Sequence, residues 1–552
     1  MKRALLLLAI LATSAAAAPP VARFAWFDYR GSDPVDATIK AGRQDYRNPI
    51  LQGFHPDPAI TRVDRDYYLV TSTFTYFPGL PIFHSRDLVS WTQIGNAIDR
   101  PGQLDFGRIG LSRGVFAPDI SYHDGLFYIA NTCVDCGGNF VMTARKAAGP
   151  WSDPHWNSID GIDPALFFDT DGQAWILNNG PPPGTPRYDG HRAIWLQRFD
   201  TKTLLPFGER TLLVDGGVHP QQKPIWAEGP HIFRRNGYYY LMTAEGGTAE
   251  NHSEVIYRSR SVTGPYTPDP SNPILTQRGL DPTRRDPITS AGHADFVTTP
   301  SGQWWSIFLA TRPYQGDFYN IGRETFLLPV RWQDDWPRIT APGATIPYVH
   351  RRPDLPRAPA PAIPTNGAFH VRDDFADARL ARIWLQIRAP QSRWYSLAGG
   401  SLNLQARTAA LGGDAQPAYL GRRLQHRDAV TETAVSFAPQ RTGDAAGLAI
   451  LQDPAHFYTL TLARTGAGNA VALSRRDGET DPVDGTTIAT APYKAASVRL
   501  RIVLSGARCA FFYAEPTGHW RLLAKDQDAT LLSTKHAGGF VGATVGPFAR
   551  GG

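Results

Sequence analysis

The sequence is short of cysteine, of long apolar runs and of blocks of one charge. Only Cys133, Cys136 and Cys509 occur among 552 residues. Cys133 and Cys136 form a C-x-x-C, but no βα unit surrounds them as a thioredoxin-like motif needs. The four ligands of a structural zinc site are not visible either. A local disulfide made in an oxidising compartment is the simpler reading. No second stretch of ~20 apolar residues follows residues 4–12, so no helical membrane span is expected in the mature chain. Lys and Arg exceed Asp and Glu by 6. They lie scattered, and neither nucleic acid nor a membrane is expected as a partner.

What the chain does have is aromatic and turn-forming residues: 14 Trp, 21 Tyr and 27 Phe beside 52 Gly and 46 Pro. Disordered chains are poor in aromatics, and this mixture favours an all-β, turn-rich protein over helix bundles. The length exceeds what one core supports, so two domains are expected, possibly three. Residues 1–18 read as a signal peptide: Lys2 and Arg3, the apolar residues 4–12, then small residues with a cut near Ala18. A lipoprotein would need a cysteine at the cut, and the first is Cys133. The mature protein is expected to be periplasmic or secreted, beginning with an N-terminal extension over residues 19–45.

One pattern recurs five times: a turn pair, then an aromatic-rich β run. It appears as Asp64-Arg-Asp-Tyr-Tyr-Leu-Val, Asp124-Gly-Leu-Phe-Tyr-Ile-Ala, Asp171-Gly-Gln-Ala-Trp-Ile-Leu, Asn236-Gly-Tyr-Tyr-Tyr-Leu-Met and Ser301-Gly-Gln-Trp-Trp-Ser-Ile. Each is a hairpin signal. The spacing of roughly 45–65 residues fits one four-stranded blade plus a variable loop. A five-bladed β-propeller over residues 46–340 follows, with Tyr238–Tyr240 in a blade core. Seven prolines in residues 341–366 mark a semi-rigid, surface-hugging linker. Alternating strands resume in residues 367–552, as in Phe457-Tyr-Thr-Leu-Thr-Leu-Ala and Val498-Arg-Leu-Arg-Ile-Val-Leu, and suit a β-sandwich.

Just before each hairpin stands a polar or acidic stretch: His55-Pro-Asp-Pro-Ala-Ile, Phe116-Ala-Pro-Asp-Ile, Ile162-Asp-Pro-Ala-Leu-Phe, Ala227-Glu-Gly-Pro-His-Ile-Phe and Gly292-His-Ala-Asp-Phe-Val. One such acid would be read as a turn residue. Five at matched positions start the strands that line a propeller's channel, and point to one shared axial pocket. Acids ringed by aromatics suit a sugar: carboxylates accept from hydroxyls while aromatic faces cover the C–H side of the ring. Glycoside hydrolysis needs two carboxyl groups on opposite sides of the bond, which different blades supply.

The opening Asn48-Pro-Ile-Leu-Gln-Gly-Phe-His-Pro-Asp-Pro-Ala-Ile60 resembles glycoside hydrolase family 43. So do the run from Thr71 to Leu88, Tyr240-Leu-Met-Thr-Ala-Glu-Gly-Gly247 and Gly322-Arg-Glu-Thr325. Within the family the chain most resembles the two-domain β-xylosidases, and Ala446-Gly-Leu-Ala-Ile-Leu and Gly538-Gly-Phe-Val-Gly-Ala resemble their sandwich. The resemblance covers about residues 46–550 and implies an inverting enzyme. Asp57 falls at the family's general base, Glu228 at its general acid, and Asp163 at the acid that orients Glu228 and raises its pKa. Inversion implies Asp57 and Glu228 carboxyls roughly 6.5–9.5 Å apart, with a water between.

By the same resemblance Phe74 and Phe116 line a xylosyl pocket and Arg323 hydrogen-bonds the sugar. His293 sits at the pocket floor, in some relatives beside a Ca²⁺. No cofactor is required, and such an ion is the one candidate. Asp119 and Asp295 are read as structural. Two departures stand out. Phe116 replaces the Trp of relatives, and the chain stops at Phe548-Ala-Arg-Gly-Gly552, so the sandwich is expected to be completed differently. The Pro/Gly-rich loop over residues 178–191 is expected to border the substrate mouth, and the sandwich to send a loop that closes it. The substrate implied is a xylo-oligosaccharide cut at its terminal β-1,4-xylose, with α-L-arabinofuranosyl side groups as the alternative. A non-catalytic sugar-binding propeller would be expected to lack one of the three acids. Family 32 fructosidases share the architecture, and Arg285-Asp-Pro287 echoes one of their motifs, but their Asn-Asp-Pro-Asn nucleophile motif is absent.

Overall fold

All five expected hairpins are present in the computed structural model, which describes residues 19–552; the signal peptide assigned to residues 1–18 lies outside the described residues. The turn residues behave as their chemistry requires. Asp124 and Gly125 (φ 47° and 79°), like Asn236 and Gly237 (50° and 73°), take the paired left-handed conformation that matches the twist of a two-residue hairpin. Blade 1 is Ala59–Val63, Asp66–Val70, Gly79–Ser85 and Thr92–Ile98. Blades 2 to 5 begin with Asp119–His123, Ile162–Phe168, Glu228–Arg235 and Thr289–Thr298. These first strands pack against one another in a ring, blade 5 meeting blade 1, so the residues at their starts face one axis. Closure uses the segment before blade 1: Ile50 N–H donates to Thr325 O at 2.8 Å, and the Asn48 side chain to Leu327 O at 2.9 Å.

The second domain is two facing eight-stranded sheets. In Asp428–Ser436 and Ser497–Ser505 every second residue is buried, the period-two pattern that their alternation predicted. Trp394, Leu448, Tyr458, Leu500 and Phe511 fill the space between the sheets. Cys133 and Cys136 are bonded to each other, and Cys509 is a free, buried thiol. No helix of the described residues is long and apolar enough to cross a membrane.

Two parts of the chain cross the boundary expected from sequence. Within residues 19–45, Val21–Ser32 is no appendage of the propeller: it pairs with Leu402–Gln405, Asp428–Ser436 and Phe369–Asp373 inside a sandwich sheet. Tyr76–Phe77, from blade 1, pairs with Leu385–Ile387 at the edge of the other. The sandwich is therefore completed by the chain's first strand as well as its last, Thr544–Arg550, which lies between two neighbours with Phe548 buried. The proline-rich segment hugs the surface as expected. Val349–Arg351 pairs with Asp45–Arg47, and Arg352 and the Ala358 N–H both bond Asp87 of blade 1.

A buried ion cluster locks the domains together. Arg312 pairs with Glu324 through Nε and NH2 (2.6 and 2.9 Å), while its NH1 reaches Asp33 at 2.5 Å. Asp33, just past the first strand, also accepts from the Gln52 side chain at 2.9 Å and from the Arg427 N–H at 2.8 Å.

Candidate active site

At the starts of the first strands the backbone is held in an unusual state. Asp57 (blade 1), Asp163 (blade 3) and His293 (blade 5) have φ of 53°, 53° and 52°. Non-glycine residues rarely adopt this region, and where they do they cluster at functional sites. The conformation turns each side chain into the channel, Asp57 just before its strand and Asp163 and His293 at register irregularities within theirs. Glu228 opens blade 4, followed by Gly229 at φ 55°. A Cβ on Gly229 would lie 2.7 Å from the His293 ring, so only glycine lets the two blades approach this closely.

These four side chains share a cavity of about 330 Å³, with Phe74, Phe116 and Arg323 on its walls. Asp57, Glu228, Asp163, Phe74, Phe116, His293 and Arg323, all singled out from sequence, are thus brought together. Asp119 and Asp295 are not among its lining residues. Asp119 of blade 2 accepts from the Leu166 N–H of blade 3 at 2.9 Å, and Asp295 of blade 5 from the Ile60 N–H of blade 1 at 2.8 Å. Both also face His231 at 3.9 Å. They stitch neighbouring blades, which is a structural use. Burial lifts Asp119 to about 6.

The three pocket acids are in opposite electrostatic states. Asp57 accepts from Arg323 NH1 at 2.8 Å and from the Ser72 hydroxyl at 2.6 Å. Burial would raise its pKa, but Arg323, His293 and Ser72 outweigh burial and hold the carboxyl below its usual range. Glu228 has no such partner, and its Oε1 makes no hydrogen bond. Burial first, then the like charges of Asp163 and Asp57, drive it well above the ordinary range. Asp163 is raised to about 7 by burial and Asp57, against the Gly229 N–H that donates to it at 3.1 Å. The environment favours the carboxylate at Asp57 and the protonated acid at Glu228. One base and one acid stand in the same pocket.

Replacing Asp163 by Asn removes a negative charge from beside Glu228, whose pKa then falls. The alkaline limb of the kcat/KM profile is expected to move to lower pH by about one unit or more. A limb that stays in place would rule out this influence of Asp163.

His293 lies with Nδ1 3.9 Å from Asp57 Oδ1, and burial lowers its pKa to about 4, so the ring is neutral. The turn carrying it is held by Glu254, which accepts from the Ala294 N–H at 2.9 Å. Among the described residues, no group of three ligand atoms gathers around His293.

Sequence reading missed Arg113, Trp226 and Phe540, which also line the cavity. Trp226 was within reach, two residues before Glu228. Its ring carries the Arg192 guanidinium at 4.5 Å, and its N–H donates to Gly190 O at 3.0 Å. The loop over residues 178–191 therefore supports the wall through Trp226 and does not line the cavity. Phe540 comes from the sandwich. It stacks on Phe74 (6.0 Å between centroids) and meets Phe116 edge-on at 5.7 Å, while its N–H donates to the Ser112 hydroxyl at 2.8 Å. The other domain thereby supplies part of the pocket wall. Arg285-Asp-Pro287 contributes nothing to the cavity.

The family profile described as glycosyl hydrolases family 43 matches residues 46–337. The chain belongs to glycoside hydrolase family 43. Its residues 372–552 match the profile described as beta xylosidase C-terminal concanavalin A-like domain, in agreement with the sandwich. Over 511 residues it is 36% identical to a xylosidase/arabinosidase of Butyrivibrio fibrisolvens, covering 91% of this chain and 95% of that one. It is 34% identical over 522 residues to a Bacteroides ovatus protein named non-reducing end alpha-L-arabinofuranosidase, covering 93% of each. A crystal structure of a GH43_12 protein from the capybara gut metagenome superposes with a TM-score of 0.89 at 35% identity, covering 96% of this chain and all of that one. The protein is a family 43 glycosidase with a carbohydrate substrate.

Proposed function

We propose that this family 43 enzyme acts outside the cytoplasm, after removal of its leader, and releases terminal β-1,4-linked xylose from xylo-oligosaccharides with inversion. One observation carries the reading. A pocket of about 330 Å³, walled in part by Phe540 of the sandwich, holds Asp57, pushed toward its carboxylate, beside Glu228, pushed toward its protonated form. A pocket of this size suits a single terminal sugar. In the reaction Asp57 takes a proton from a water as that water attacks the anomeric carbon. Glu228 gives its proton to the departing glycosidic oxygen, and the C–O bond breaks. Asp163 orients Glu228 and sustains its proton, while Phe74, Phe116 and Phe540 cover the C–H face of the sugar.

A second reading, release of terminal α-L-arabinofuranosyl groups, is favoured by Phe116. Its ring, half-buried beside Arg113 (guanidinium 5.9 Å from the ring), is smaller than the Trp that the family resemblance places there, which would leave more room at that wall. Hydrolysis of nitrophenyl β-D-xyloside and α-L-arabinofuranoside, measured side by side with the wild-type enzyme, decides between them. Faster xyloside cleavage supports the first reading and faster arabinoside cleavage the second. Cleavage of neither by folded protein sinks both. Proton NMR of the first-formed sugar checks the stereochemistry: from the β-xyloside the α-anomer is expected before mutarotation, and initial β-anomer would contradict the roles given to Asp57 and Glu228.

Phe540→Ala removes the sandwich's side chain from the pocket wall and two aromatic contacts worth about 0.5–1.5 kcal/mol each. KM for xylobiose is expected to rise by roughly tenfold, with a smaller change in kcat. An unchanged KM would separate Phe540 from substrate binding.

A further inference from the structure

His456, Asp477 and His536 lie together in the sandwich, outside the sugar pocket. His456 opens the strand His456–Thr465 and Asp477 ends Gly468–Asp477; the two stand directly opposite in the ladder. His536 comes from the single turn of helix Thr534–Ala537. One ligand atom from each lies within 4.8 Å of the other two. His536 Nε2 is 2.9 Å from Asp477 Oδ1, and the His456 and His536 rings meet edge to face at 5.3 Å.

A second observation distinguishes this cluster from a chance meeting of polar side chains. Asp453 Oδ1 accepts from Nδ1 of His456 at 2.8 Å. That bond fixes the ring and its tautomer and leaves Nε2 with a lone pair, the arrangement seen where a carboxylate backs a metal-binding histidine. Nε2 of His456 takes part in no hydrogen bond of its own among the described residues. From these contacts we infer that His456, Asp477 and His536 bind a divalent transition-metal ion of the zinc class. The donor set selects the metal. Two imidazoles and one carboxylate, with a position left for water, suit Zn²⁺ and its neighbours, whereas Ca²⁺ and Mg²⁺ take oxygen ligands. Coordination at about 2.0–2.2 Å replaces the proton shared by His536 and Asp477. The side chains close in by rotation, which His536, 38% exposed, is free to make.

The ion would act as a staple. His536 stands four residues before Phe540, on a segment anchored at its ends: Ser533 Oγ accepts from the Tyr319 N–H at 2.9 Å, and Val541 O accepts from the Gln452 side chain at 2.7 Å. Between them Gly538 and Gly539 both take left-handed backbone, φ 74° and 75°, a freely adopted conformation only for glycine. Binding at His536 ties the exposed middle of this segment to the sandwich strands and so steadies the loop that closes the sugar pocket.

The test uses the full-length protein, stripped with EDTA and titrated with CoCl₂, followed by visible d–d absorption, and with ZnCl₂ by calorimetry. One equivalent is expected to bind. His536→Ala and Asp477→Asn each lose a direct ligand and are expected to weaken binding by more than the roughly 10–100-fold typical of outer-shell changes. No binding by wild type, or undiminished binding by both variants, overturns the site. Hydrogen exchange of residues 533–541 supplies the second readout. Zn²⁺ is expected to slow it in wild type and not in His536→Ala. Unchanged exchange in the zinc-loaded wild type overturns the staple.

Discussion

Glu228→Gln is expected to lower kcat/KM on xylobiose by about 10²–10⁴-fold, and by distinctly less on nitrophenyl xyloside. The reason is the leaving group. A sugar alkoxide cannot depart from xylobiose without a proton, and the amide has none to give at the right acidity. Nitrophenolate leaves without one. Gln keeps the size of the side chain, so the pocket walls and Asp57 are left in place while the proton is lost. Because burial, Asp163 and Asp57 raise Glu228 above the usual carboxyl range, wild type is expected to hold its acid to higher pH than an ordinary carboxyl, and the variant to lose the alkaline limb that Glu228 produces. Kinetics on the two substrates at several pH values checks both points. Equal, mild losses on both substrates would remove Glu228 from the acid's role. A sugar-binding propeller would keep its affinity and show no rate to lose.

Arg312→Met is expected to destabilise the folded protein by about 3–5 kcal/mol. Arg312 is 8% exposed and is the cation between Asp33 and Glu324. Burial lifts Glu324 to about 7 even with Arg312 beside it. Removing the guanidinium leaves two carboxyls in a water-poor cluster with no counter-charge, which costs more than the pair itself contributes. The loss falls at the seam where the propeller, the first strand and the sandwich meet, so the two domains should part at lower urea concentration. Urea unfolding followed by tryptophan fluorescence measures it. Adding Glu324→Gln and Asp33→Asn to Arg312→Met removes the orphaned charges and is expected to recover part of the stability. An unshifted transition in Arg312→Met would show that the cluster does not hold the seam.

Much of this molecule follows from short-range chemistry. Asn236-Gly237 makes a hairpin wherever apolar runs flank it, because only such residues take two left-handed conformations in succession. Five turn pairs at blade spacing, two of them (Asp124-Gly125 and Asn236-Gly237) with both residues left-handed, therefore announced the propeller, and alternation in residues 428–436 and 497–505 announced the sandwich. The acid-bearing stretches preceded matched strands, so the ring arrangement aimed Asp57, Asp163 and Glu228 inward together. Trp226 was passed over although it adjoins Glu228, since an aromatic next to a strand is ordinarily core.

The remainder depends on contacts between residues hundreds of positions apart. Val21–Ser32 reads as a strand but carries no local mark of which sheet it enters; pairing with Asp428–Ser436 decides that. Phe540 lies in a glycine-rich turn of the sandwich, and only the docking of the domains sets it over Phe74. The opposite charge states of Asp57 and Glu228 have the same origin. Both are carboxyls in a buried channel, and only the family resemblance, not their residue type, tells base from acid in the sequence. Arg323, 266 residues from Asp57, stabilises one anion, while Glu228, with no cation at hydrogen-bond distance, is pushed toward its protonated form. Turn types and strand periods are properties of neighbouring residues and are written in the chain. Burial and charge proximity are properties of the packed molecule, and they decided which carboxyl is pushed toward its acid form and which sandwich residue joins the pocket wall.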